Sequence, residues 1–199
     1  MDNPTAATEQ TGSTRPSNTG AHRRPSRRWA ASSMAALTVA TLVAVGCVAD
    51  PGPTAGATLT AATSTVGVVD GSVVRVSGRG YNPAANIGTR PPLFAQPAGV
   101  YAIFACVSDP WRPSQGATGS SRQVIQQFWA VPGQAQFDAI GGAAAGAVLM
   151  GADGSFDVDV TLTAAPCTGR YAVITFPGSG AAANPGEENE IPVTFAAPA

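Results

Sequence analysis

Phe156-Asp157-Val158-Asp159-Val160-Thr161-Leu162-Thr163 is the stretch on which the fold turns. Apolar side chains at 156, 158, 160 and 162 alternate with polar ones at 157, 159, 161 and 163. That period of two belongs to a strand with one face buried and one in water. Asp153-Gly154 stands just ahead of it, and glycine there supplies the positive φ that a tight reversal needs. Working outward, the same signals recur. After Asp70-Gly71, the run Ser72 to Ser77 points Val74 and Val76 one way and Val73, Arg75 and Ser77 the other. Between Gly99 and Val107, one face carries Tyr101, Ile103, Ala105 and Val107 and the other Ala102, Phe104 and Cys106. Both faces are apolar, as in a central strand, and Tyr171 to Phe176 reads the same way. Ile191, Val193 and Phe195 form a last inward row, and Pro192 predicts an edge strand because proline cannot donate to the ladder.

Composition agrees with many turns and short strands. Gly and Pro make up 40 of the 199 residues, and Asn82-Pro83, Pro91-Pro92 and Asn184-Pro185-Gly186 break the longer connections. Alanine supplies 38 of the residues counted as hydrophobic, so fewer side chains than the 44% total suggests are large enough to anchor a core. The fold expected is all-β: an immunoglobulin-like antiparallel β-sandwich of about seven strands over residues 57–197, preceded by a signal helix. Residues 108–150 form an elaborated connection. They hold a strand at Gln123 to Val131 and an Ala/Gly segment at 139–148 too rich in glycine for a good helix. Connections this long are where scaffolds often carry specificity.

Charge divides the chain. Residues 1–46 hold five Arg against two acids; residues 47–199 hold six Arg against ten acids, and there is no Lys. The acidic part has no basic stripe with which to neutralise phosphates, which argues against a nucleic-acid partner. Residues 1–28 are a polar, apolar-period-free segment, expected to be disordered, that ends in a basic cluster from His22 to Arg28. Residues 29–46 are uncharged, which makes the order that of a basic n-region and an apolar signal segment. Those 18 residues are short for a membrane span of about 20. Ala44-Val45-Gly46-Cys47 resembles a bacterial lipobox, in which small residues precede a cysteine that becomes diacylated. That resemblance implies lipidation at Cys47, a flexible tether at 47–56 and a place on the outer face of the plasma membrane. A retained membrane helix and a cleaved signal without lipid are the alternatives. Ser26-Arg27-Arg28 also hints at twin-arginine export.

With Cys47 assigned to lipid, Cys106 and Cys167 remain as an even pair, expected to form a disulfide in an oxidising compartment. Two reduced core cysteines are the alternative. The single histidine is His22, so residues 47–199 hold no Ser/His or Cys/His pair, no histidine zinc site and no histidine haem ligand. No catalytic set, metal site or cofactor is expected. Asp157 and Asp159 share a strand face and, with Asp153, have the chemistry for acid–base work or calcium, though a solvated outer face is the plainer reading. Gly178, Ser179, Gly180 and Ala183 match a dinucleotide loop loosely, without the surrounding βαβ unit, and read as a surface hairpin. Glu187, Glu188 and Glu190 read as a solubilising loop end. The candidate binding surface is Trp111, Arg112, Arg122 and Trp129, because Trp and Arg are enriched at binding hot spots. Against this stands a packing role, with Trp129 in the core and Trp111 over a sheet edge.

Asp70 to Tyr81, Ala152 to Phe156 and Ile191 to Phe195 resemble the immunoglobulin-like domains of actinobacterial surface proteins, and the neocarzinostatin-type sandwich shares the same order of signals. Gly99-Val100-Tyr101, Asp109 to Ser114, Arg122 and Trp129 resemble modules that accompany haem-transport-associated proteins of corynebacteria and their relatives. The resemblance implies a non-enzymatic envelope module that binds another cell-surface component. Its alternative is a carrier of a small apolar ligand or an accessory to haem uptake, for which Tyr81, Tyr101 or Tyr171 would be the iron ligand. The haem-binding repeat of those proteins has no counterpart here.

Overall fold

The computed structural model describes residues 56–197. The expected leader, Cys47 and all of the tether except Gly56 lie outside them. Nine strands form among the described residues: β1 (Thr58–Ala61), β2 (Val66–Val68), β3 (Ser72–Arg79), β4 (Val100–Val107), β5 (Arg122–Val131), β6 (Ala147–Leu149), β7 (Phe156–Leu162), β8 (Arg170–Pro177) and β9 (Glu190–Phe195). One helix, α1 (Gln134–Ile140), joins β5 to β6. The strands make two sheets, β1-β3-β7 and β2-β9-β8-β4-β5-β6.

This is the all-β, two-sheet architecture expected, with three corrections, one of which is that β9, expected as an edge strand, lies between β2 and β8. There are nine strands rather than about seven, and the larger sheet is not wholly antiparallel: β2 runs parallel to β9, and β6 parallel to β5. The alternating pattern explains the core. Val74 and Val76 of β3 and Phe156, Val158, Val160 and Leu162 of β7 pack against Val100, Ala102 and Phe104 of β4 and Val173 of β8. The opposite face of β4 is buried as well, through Ile103, Ala105 and Val107. Its cover is the connection that follows β4, which lays Trp111 across Ala172 and Ile174 on the outside of the sheet. Leu93, Ala98, Trp129 and Val131 form a third cluster, against which Phe137 and Ile140 of α1 pack.

Pro192 belongs to a strand with a neighbour on both sides, yet its expected effect is visible locally. Backbone N–H groups of Thr194 and Ala196 donate to Thr65 and Val68 on the β2 side. By the two-residue period the nitrogen of Pro192 faces the same way, just above the point where β2 begins to pair. β5 matches the strand expected within residues 108–150 and carries a bulge opposite Phe104 and Ala105. From it Gln126 reaches across to β7, the last strand of the small sheet, and its Oε1 accepts the Thr161 N–H at 2.8 Å. That contact occupies part of an edge otherwise open to another strand. The Ala/Gly segment at 139–148 is too rich in glycine for a good helix, and it contributes to element ends. Its first residues close α1, which Gly141 terminates at φ 107°, and its last ones form β6. A seven-residue helix draws its stability from packing rather than propensity, here through Phe137 and Ile140.

Cys106 and Cys167 form a disulfide with Cα atoms 5.5 Å apart. Cys106 lies opposite Tyr171 in the β4–β8 ladder, which brings it beside the approach to β8.

Register places the ends of the sandwich. Thr58 pairs with Arg79, Gly78 with Phe156, and Val100 with both Ala130 and Pro177. The connections 80–99, 150–155 and 178–189 therefore meet at one end, together with the start of β1.

Candidate functional site

The turn into β7 shows how this loop end is built. Gly154 sits at φ +73°, and a Cβ there would fall 1.7 Å from the Tyr81 carbonyl oxygen. Only glycine lets the 150–155 turn approach the β3–β4 connection so closely, and the Tyr81 N–H donates to the Gly154 carbonyl at 3.2 Å. Asp153 Oδ1 accepts the Ser155 hydroxyl at 2.6 Å and the Ser155 N–H at 3.1 Å. The hydroxyl bond is the main reason its carboxyl is held below the ordinary aspartate value.

Beneath the turn lies a polar network with one consistent set of donors. The Thr175 hydroxyl donates to the Glu187 carbonyl at 2.8 Å, so the Tyr81 hydroxyl donates to Thr175 Oγ1, also at 2.8 Å. Asn189 completes it, its Nδ2 donating to the Tyr81 oxygen and its N–H to Thr175 Oγ1, both at 3.2 Å. Burial pushes the Tyr81 phenol up to about 12 despite the hydrogen bond it receives from Asn189.

The acidic run overturns its expected role as a solubilising loop end. Glu187 and Glu188 are only 5% and 4% exposed. Glu187 Oε1 accepts the Asn82 N–H at 2.8 Å and its Oε2 accepts Asn86 Nδ2 at 2.5 Å. Asn86 in turn donates to the Gly99 carbonyl and accepts from Asn184 Nδ2. Glu188 accepts the Ser114 N–H and hydroxyl. Glu190 accepts Trp111 Nε1 at 2.7 Å and Arg170 Nε at 2.8 Å. Three neighbouring carboxylates thus tie the β8–β9 connection and the first residue of β9 to three other segments. Nothing in the sequence marks them, because their partners lie 20 to 105 residues away.

The result is a braced platform with an open cleft of about 470 Å³, walled by Ala57, Pro83, Ala85 and Ala152, with Asp153 and Asn184 at its polar side. A second hollow of about 330 Å³ adjoins it at Ala85 and Asn184 and is bounded by Ile87. Sequence reasoning took Asn82-Pro83 and Asn184-Pro185-Gly186 only as chain breakers. Their clustering around Pro and Gly was the one available sign of this end.

The four residues expected to form one binding surface are divided. Trp111 has no exposed surface, and Trp129 is buried in the third cluster, its Nε1 donating to the Ala98 carbonyl at 2.6 Å. Neither indole is open to a partner, so both are corrected to packing residues. Arg112 and Arg122 remain half-exposed. Arg112 stacks 4.5 Å from the Trp111 ring, while Arg122 lies 4.8 Å from the Phe176 ring and donates to the Trp111 carbonyl. Arg170 is pinned by Asp109 at 2.7 Å and by Glu190. The two arginines pave the outside of the larger sheet above a buried indole.

The remaining candidates are engaged in the fold. Asp157 accepts the Ser77 hydroxyl and pairs with Arg79, and Asp159 pairs with Arg75. Among the described residues no three His, Cys, Asp or Glu side chains converge as a metal site would require. Ser179 is buried, not on a surface hairpin; it accepts the N–H groups of Thr89 and Arg90 and donates its hydroxyl to the Arg90 carbonyl. All three phenol oxygens are hydrogen-bonded within the protein: Tyr81 as above, Tyr101 to the Ser179 N–H and Tyr171 to the Ala165 carbonyl. No helix among the described residues is long and apolar enough to cross a membrane.

Compared with known proteins, the chain matches no family model, no curated protein and no solved structure.

Proposed function

We propose that this chain is an exported, lipid-anchored envelope protein whose immunoglobulin-like sandwich is a non-enzymatic binding module, with its ligand taken at the loop end. The observation that carries the reading is the Glu187 brace. A buried carboxylate holds Asn82 and Asn86 from one connection against another, so the cleft walls are set before any ligand arrives. Such preorganisation removes an ordering cost from association. The disulfide supports an oxidising compartment, and hence export.

Two features favour the immunoglobulin-like assignment. The first two strands divide between the sheets, with β2 running parallel to the last strand. Tyr171, at the start of β8, donates its hydroxyl to the carbonyl six residues upstream, as in the tyrosine corner of that fold. The bridge departs from the antibody pattern: it joins β4 to the approach to β8 within one sheet, where antibody domains link the two sheets.

A small apolar ligand is the second reading. The cleft volume lies within the few hundred Å³ typical of such sites, and Ala57, Pro83, Ala85 and Ala152 supply an apolar part of its wall. The haem version is disfavoured by the engagement of all three phenols. Amide chemical shifts of the labelled protein, titrated with an envelope extract, test the site. Shifts confined to 80–87, 152–154 and 182–187 support the cleft. Shifts confined to Arg112, Arg122 and their neighbours assign binding to the outer sheet face instead.

A further inference from the structure

The start of β1 pairs with the end of β3, and Gly56 and Ala57 line the cleft itself. The chain therefore enters the domain at the loop end, not at the opposite one. Cys47 precedes Gly56 by nine residues, a reach of at most about 30 Å. If Cys47 carries its diacyl group at the lipid surface, the loop end is the end held close to that surface.

That end also carries exposed apolar side chains. Phe94 is 66% exposed and Ile87 50%. Both belong to the hairpin that Ile87 and Pro97 close, with Gly88 and Gln96 hydrogen-bonded across it. The hairpin is fixed from below: Leu93 is buried in the third cluster, and Ser179 holds Thr89 and Arg90. Phe94 is thus presented by a braced segment rather than a loose one. Arg90, in the same hairpin, is exposed and takes part in no ion pair among the described residues.

We propose that the Ile87–Pro97 hairpin seats Phe94, Ile87 and Arg90 on the bilayer that anchors the chain, so that the cleft opens beside the membrane. The inference rests on the lipid-anchor reading above. Apolar side chains such as phenylalanine and isoleucine enter the headgroup–acyl boundary while a neighbouring guanidinium stays among the headgroups. The short tether gives the hairpin a high effective concentration at the surface, so a contact too weak to hold a free protein is enough here.

The test uses the full lipidated chain in phosphatidylcholine–phosphatidylglycerol vesicles, with and without bromine on the acyl chains. Phe94→Trp reports on the hairpin. Val66→Trp, at a site 72% exposed near the far end of β9, is the control. The expected result is flotation with the vesicles, a blue-shifted emission for Phe94→Trp with a loss of intensity in brominated lipid, and no such change for Val66→Trp. Flotation without quenching at position 94, or with equal quenching at both sites, overturns the docking and leaves the anchor standing. Failure to float overturns the anchor, and the docking with it.

Discussion

Glu187→Ala removes the brace from the loop end and tests its weight. The substitution strips an acceptor from the Asn82 N–H and from Asn86 Nδ2. A buried donor left without a partner costs about 1–3 kcal/mol. The lower part of that range applies to each, because Asn82 lines the open cleft, where water can reach it, and Asn86 Nδ2 keeps the Gly99 carbonyl. Removing a buried carboxylate also recovers some desolvation cost, since no ion pair neutralises Glu187 among the described residues. The net loss expected is about 2 kcal/mol. Glu187→Gln keeps the shape but turns one acceptor into a donor facing a donor, so about 1 kcal/mol is expected. In urea the Ala variant should unfold about 1 M earlier with an unchanged slope. Hydrogen exchange at the Asn82 amide should quicken in both variants. Losses within about 0.5 kcal/mol for both, the range of ordinary surface substitutions, would refute the brace and restore the acidic run to a solvated loop end.

Reduction of the Cys106–Cys167 bridge opens a loop of 61 residues, for which chain entropy gives about 4 kcal/mol. Calorimetry with and without reductant should show a melting temperature lower by roughly 8–16 °C. Trp111→Ala should cost about 3–5 kcal/mol as a fully buried indole, whereas Arg112→Ala, which loses the stack, a 3.7 Å pair with Glu190 and a hydrogen bond to the Glu188 carbonyl, should cost about 1–2 kcal/mol; equal losses in denaturant titrations would contradict the assignment of Trp111 as the packing residue. Glu190 has its pKa raised by burial, but hydrogen bonds from Arg170 and Trp111 outweigh this and hold it below its ordinary 4.5. A depressed acid contributes stability above its unfolded value and loses it as pH falls through the folded one. The gap in stability between wild type and Arg170→Met should therefore be full near neutrality and narrow as pH drops below 4.5; a gap independent of pH would count against this coupling.

How far the sequence discloses all this depends on the length of each signal. β3, β4, β7 and β8 have seven or eight residues of sustained pattern, and their faces read correctly. β1, β2 and β6 have three or four residues each, too few for periodicity to stand out, and β6 lies among alanines and glycines that favour no state. Trp111 shows the limit for sites. Its composition cue was real, because Trp and Arg do meet, but whether an indole faces solvent or a sheet depends on where the connection after β4 folds back. Glu187 shows the converse. Three acidic residues in a Pro/Gly-flanked loop look solvated unless donors converge on them, and those donors come from Asn82, Asn86, Ser114, Trp111 and Arg170, dispersed along the chain. The Cys106–Cys167 pairing was legible only through the assignment of Cys47 to lipid, because three cysteines allow three pairings and two allow one.

Mass analysis of the native protein, taken from the membrane fraction without reductant, tests the central claim most directly. The account requires a mature chain whose first residue is Cys47 bearing a diacylglyceryl group, together with a Cys106–Cys167 linked peptide. A chain that still begins at Met1, with all three cysteines as free thiols, would contradict it.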